Sequence, residues 1–165
     1  MKKQLFLPST NRVEGARLER YYVPVDYDAR QAIAMAIAGN KFGGRYIGLP
    51  LRIIPLVGSG RFEREVYRVG FKCQMLNRDL PLALKELGVK LRFSDPLTVL
   101  RFVYFNPDKY HTLVAQFTDT RGRLRTLCVS RIGQWRYIVI RTPNPNGFWH
   151  AGVDYLVERG PPPGA

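Results

Sequence analysis

Histidine and cysteine are nearly absent from this chain, and acidic side chains are scarce. The two histidines, His111 and His150, and the two cysteines, Cys73 and Cys128, are widely spaced. None of them falls in a zinc-ligand signature, so no metal or other cofactor is expected. A long-range disulfide between the two cysteines is the weaker reading, and two buried free thiols in a reducing compartment are the expectation. The 13 acids leave little for paired-carboxylate chemistry. Asp26 with Asp28 reads as a helix cap, Glu63 with Glu65 as a strand pair among arginines, and Asp154 with Glu158 as a late pair, so no catalytic constellation emerges.

Long apolar runs are missing too. The stretch from Ala32 to Val57 is interrupted by Lys41, Arg45, Arg52 and several glycines, which argues against a transmembrane helix. The start, Met1-Lys2-Lys3 followed by Gln4 to Pro8, has no apolar stretch of signal-peptide length. The expected location is the cytoplasm, of a cell or of an infected host.

What is present is positive charge and enough apolar material for a core. Basic residues number 26, of which 19 are arginine, for a formal charge of +13, and 45% of the chain is hydrophobic. A 165-residue chain of this composition suits one domain, placed at residues 1–160 with a flexible proline-rich tail at 161–165. The charge predicts a polyanionic partner, nucleic acid first.

The pattern along the chain predicts an α+β domain, mainly antiparallel β-sheet with about seven or eight strands and two short helices. The sheet is expected to close into a barrel or to pack as two sheets. Arg20 to Val25 reads as an edge strand because of Pro24. Residues 29–38 read as a helix started by Asp26 or Asp28 and ended by Gly39, with Ile33, Ala36 and Ile37 inward. Tyr46 to Leu56 and Phe62 to Cys73 read as strands joined by a hairpin at Gly58-Ser59-Gly60, for which a phosphate loop is the weaker reading. The second helix starts at Asp79-Leu80-Pro81 and stops at Gly88. Val89 to Phe93 predicts a strand, and the β-branched and aromatic run from Val99 to Phe105 another. The alternation from Thr112 to Thr118, turns at Thr120-Arg121-Gly122 and Gly133-Gln134, and the run Trp135 to Arg141 predict a three-stranded meander. A last strand is expected near Val153 to Val157.

Within that meander lies the candidate site. Between Asp119 and Asp154 there is no acid, while Arg121, Arg123, Arg125, Arg131, Arg136 and Arg141 contribute +6, interleaved with Trp135 and Tyr137. Aromatics beside arginines would form a stacking platform for bases, whereas aromatics beneath them would leave a plain phosphate-binding face. The bland alternative makes Trp135, Tyr137 and Val139 core and the arginines a solvated face. Lys41 and Arg45, in a glycine-rich turn, are further phosphate-contact candidates.

Three readings follow. The first is a non-enzymatic nucleic-acid-binding protein that contacts DNA or RNA phosphates through this basic, aromatic-containing hairpin surface. The second is a small β-rich assembly subunit, such as a capsid or particle protein, that self-associates around nucleic acid. The third is a nucleic-acid-processing enzyme such as a nuclease.

Overall fold

The computed structural model describes residues 13–29, 32–33, 36, 45–48, 51–87, 90–133 and 135–160. A mixed sheet of eight strands runs through the molecule. Its strands are β1 (Arg17–Asp26), β2 (Arg45–Gly48), β3 (Arg61–Gly70), β5 (Leu91–Phe93), β6 (Thr112–Thr118), β7 (Leu124–Ile132), β8 (Trp135–Arg141) and β10 (Asp154–Arg159). Two short strands, β4 (Met75–Leu76) and β9 (Phe148–Trp149), pair separately. Helix α1 spans Leu80–Glu86 and α2 spans Pro96–Phe105.

The spatial order is β1-β3-β10-β6-β7-β8-β2, with β5 also paired to β10. Most neighbours are antiparallel, but β10 with β6 and β2 with β8 are parallel. The sheet does not close into a barrel, because β1 and β2 end the order at opposite sides. Nor is it two packed sheets: helices, rather than a second large sheet, cover its faces. One face joins Val66, Leu113, Leu127, Val129, Ile138 and Ile140 to Leu100, Phe102 and Val103 of α2. The other joins Val69, Val114, Cys128 and Tyr155 to Leu80, Ala83 and Leu84 of α1. Strands β3, β6, β7, β8 and β10 each contribute to both cores, as the period of a pleated sheet requires.

The predicted meander is there. Thr112 pairs with Ser130 and Thr118 with Leu124 across β6 and β7, and Leu127 pairs with Ile140 across β7 and β8. Gly122 (φ +79°) and Gly133 (φ +61°) supply the positive φ that its two turns require. Helix α1 begins after Asp79 with Pro81 in its first turn, as expected. Strand β1 sits at the end of the sheet order, as Pro24 foretells.

Two further expectations fail. Val99 to Phe105 is helix, not strand. Asp95 caps it by accepting from the Thr98 backbone N–H at 3.2 Å, and Leu97, Leu100 and Phe102 with Val103 recur at helical spacing inside the core. A continuous apolar run satisfies helix and strand periods alike, and here the capping residue decides. The second failure is the hairpin at Gly58-Ser59-Gly60. Leu51–Ile53 is a turn of 3₁₀ helix, and β2 pairs with β8 while β3 pairs with β1 and β10. The glycines lead into β3, which stops at Gly70 rather than Cys73.

Of the helix expected at 29–38, residues 32, 33 and 36 are helical and buried; Ile37 and the others beyond Ala29 lie outside the described residues, as do Lys2, Lys3, Lys41 and the tail. Neither cysteine is in a disulfide; Cys128 is buried and Cys73 half-buried. Among the described residues no helix is long and apolar enough to cross a membrane.

Candidate nucleic-acid interface

The register divides the arginine block into two populations. Arg125, Arg131 and Arg136 share the strand parity of Leu127, Val129, Ile138 and Ile140, so they run toward the α2 side. Arg136 is only 2% exposed. It donates to the Pro107 carbonyl at 2.8 Å and lies 5.9 Å from the Tyr110 ring centroid. Arg131, its direct cross-strand partner, ion-pairs with Asp108 at 3.3 Å. Two like charges placed opposite each other repel, and the loop that follows α2 answers both with a carbonyl, a carboxylate and a ring face.

At the other end of the same ribbon, Arg125 donates from Nε to Asp119 Oδ2 at 2.8 Å, and one of its Nη atoms donates to the Thr142 hydroxyl. The other Asp119 oxygen accepts the backbone N–H groups of Arg121 (2.8 Å) and Arg123 (2.9 Å). One buried carboxylate thus organises the β6–β7 turn. The block is therefore less uncompensated than its sequence implies: Asp108 and Asp119, just outside it, neutralise two of its members.

The Arg123 N–H, then burial in the opposite sense, then Arg125 and the Arg121 N–H act on the Asp119 carboxyl, and together they hold it below its ordinary range. A carboxyl lowered in the folded state stabilises fully above its unfolded pKa and loses that contribution as pH falls through the folded value. Asp119→Asn is accordingly expected to flatten the acid limb of stability below about pH 4, the ordinary range of an aspartate. Urea unfolding across that window, variant against wild type, checks this; parallel acid limbs would contradict it.

Arg121, Arg123 and Arg141 are the exposed members. Arg123 belongs to the turn before β7 and so lies outside the strand face that Arg125 and Arg131 share. Tyr137 is half-buried and, with Arg141, follows the opposite parity to Arg136. Residue 135 sits opposite Ile132, and Arg45 pairs with Tyr137; the side chains of Trp135 and Arg45 lie outside the described residues. Tyr137 therefore faces away from the buried Arg136 and shares its strand face with the exposed Arg141.

Of these exposed members, Arg123 borders a groove of about 550 Å³ at the turn end of the ribbon. Its walls include Arg78, Arg123, Arg125, Leu124, Pro143 and Pro145. Nearby, Trp149 Nε1 donates to Asn77 Oδ1 at 2.7 Å, and Asn77 Nδ2 donates to the Asn144 carbonyl at 2.8 Å. These bonds tie the segment after β8 to the 3₁₀ turn Asn77–Asp79. Arg78, Pro143 and Pro145 were not legible as site residues, because only the β4–β9 pairing brings residues 75–79 to the segment after β8.

His111 and His150 are both exposed. Among the described residues no group of three or more His, Cys, Asp or Glu side chains is arranged to hold a metal ion. A further polar network lies elsewhere: Glu158, on β10, takes Arg64 at 2.9 Å and Arg92 at 3.2 Å. Comparisons with protein-family models, curated proteins and solved structures find no match to this chain.

Proposed function

We propose that this chain is a non-enzymatic nucleic-acid-binding protein that holds phosphates along the turn end of the β6–β8 ribbon. The observation that carries the reading is the groove beside Arg123, whose lining includes Arg78, Arg123 and Arg125 and no acidic side chain. A formal charge of +13 draws a polyanion to such a surface. Arg121, Arg123 and Arg141 are the phosphate contacts, while Arg125, Arg131 and Arg136 hold the scaffold.

The test is binding to DNA and RNA as a function of salt, comparing wild type with the triple variant Arg121→Ser, Arg123→Ser, Arg141→Ser. Each lost phosphate contact removes about 0.9 from the log–log salt slope on duplex and about 0.7 on a single strand. The triple variant should therefore lose about 2 to 3 from the slope, and on the order of 100-fold in affinity near physiological salt. Arg136→Met, which changes a buried residue, should leave the slope at its wild-type value. An unaltered slope in the triple variant, or no binding by wild type at low salt, would sink the proposal, and magnesium-dependent loss of the probe would favour a nuclease.

The assembly reading has one observation in its favour. Strand β1 ends the sheet order and exposes Leu18 (38%) and Tyr22 (53%), a pairing edge with apolar side chains. A sharp high-mass species on sizing chromatography would support that reading; a monomer would count against it.

A further inference from the structure

We infer that the groove beside Arg123 seats one unpaired base of a single-stranded nucleic acid, with the Gln116 amide as its hydrogen-bonding group. The inference rests on the nucleic-acid reading above and deepens it. Gln116 in β6 is paired with Thr126 in β7, and Thr126 with Arg141 in β8, so three polar residues form a row across three strands. The row interrupts an otherwise apolar face, where Val114 and Cys128 are core.

Gln116 is only 9% exposed, lines the groove, and its side-chain amide makes no hydrogen bond among the described residues. Folded proteins satisfy nearly all such groups, and an amide left open on the wall of a groove calls for a ligand with matching donors and acceptors. A carboxamide offers both a donor and an acceptor, the combination that pairs with the edge of a base.

The rest of the lining suits the same occupant. Leu124, Pro143 and Pro145 give flat apolar walls, and Arg123 and Arg78 stand where flanking phosphates would lie. About 550 Å³ falls within the range of small-ligand clefts. A base stacked and paired in a duplex hides the edge that the amide would read, so the occupant has to be splayed from a single strand. A second groove of about 450 Å³ shares Gln116 and Leu124 and passes toward Phe93 and Arg92 of β5, which offers the adjoining nucleotide a path. This path lies where β10 pairs with β6 near Asp154 but with β5 near Val157.

The experiment measures fluorescence anisotropy of full-length protein with labelled oligo-dA, oligo-dC and oligo-dT of about 15 nucleotides, and with a duplex, at one salt concentration and then across a salt series. Wild type should favour single strands and rank the homopolymers with a spread of about five- to tenfold, the size of one net hydrogen bond. Gln116→Met should shrink that spread to within about twofold while keeping the wild-type salt slope. It removes a partnerless polar group, so its unfolding midpoint should equal or exceed wild type, which guards against misreading a folding defect. Equal affinity for all homopolymers, or a ranking preserved in the variant, would overturn the base site while leaving phosphate binding intact. Absence of any binding would instead remove the parent reading.

Discussion

Replacing Glu158 by alanine is expected to cost the fold about 3 kcal/mol, seen as a lower denaturant midpoint with an unchanged m value. The Glu158 side chain is 3% exposed and sits between Arg64 and Arg92, whose side chains are 18% and 22% exposed. Removing the carboxylate leaves two guanidinium groups crowded in a half-buried site with no counter-charge. The expected cost lies at the lower end for a broken buried pair because both arginines keep some contact with water. Glu158→Gln retains an acceptor for Arg64 and should cost only about 1 kcal/mol. A midpoint for the alanine variant equal to wild type would show the trio to be energetically idle.

The pH dependence carries a distinctive sign. Burial pushes the Glu158 carboxyl above its ordinary value, and the two arginines offset this only in part. A carboxyl raised in the folded state binds its proton more readily there than in the unfolded chain. Its contribution is complete below the unfolded pKa and declines as pH climbs through the folded one, the reverse of Asp119.

Asp95→Ala should have an effect of similar size. Asp95 Oδ1 caps α2 at the Thr98 N–H, while Oδ2 accepts from the Tyr27 hydroxyl and the Thr98 hydroxyl, each at 2.7 Å. Tyr27 is 3% exposed and Thr98 fully buried. Loss of the cap costs about 1 kcal/mol, and the orphaned hydroxyls add about 2, moderated by the 3.2 Å contact that Tyr27 and Thr98 can make with each other. The sum is about 3 kcal/mol, a large share of the roughly 5–15 available to a domain. Asp95→Asn keeps an oxygen acceptor and should recover most of it. Equilibrium unfolding of the two variants side by side decides the matter, since equal midpoints would deny the carboxylate its role.

The same residue explains the largest misreading of the sequence. Val99, Val103 and the aromatics Phe102, Tyr104 and Phe105 favour a strand by propensity, yet Ser94-Asp95-Pro96 already carries the signals of a helix start. The meander was legible because Leu113, Ala115 and Phe117 alternate and glycines mark its turns. Arg136 was not. A charged residue in an alternating strand reads as solvent-facing, and only the register against Arg131, with the loop at Pro107 and Asp108 laid over both, shows it to be interior. The split of the arginine block into scaffold and surface members is thus a tertiary fact. Gln116 carried a faint local sign, a polar residue in the middle of a strand of apolar neighbours, but its missing partner is visible only when β7 and β8 are set beside it.

Strand β10 has a consequence for the order of events during synthesis. It lies between β3 and β6 in space, yet follows both in the chain. While a ribosome is still making residues before Asp154, the β1–β3 pair and the β6–β8 ribbon have no common strand to join them, and the inner edges of β3 and β6 stand open. Formation of the complete sheet waits on the emergence of residues 154–159, so the nascent chain passes through a stage with two open strand edges and a high local density of arginine. That stage is where premature contact with other chains, or with nucleic acid itself, would act on this protein.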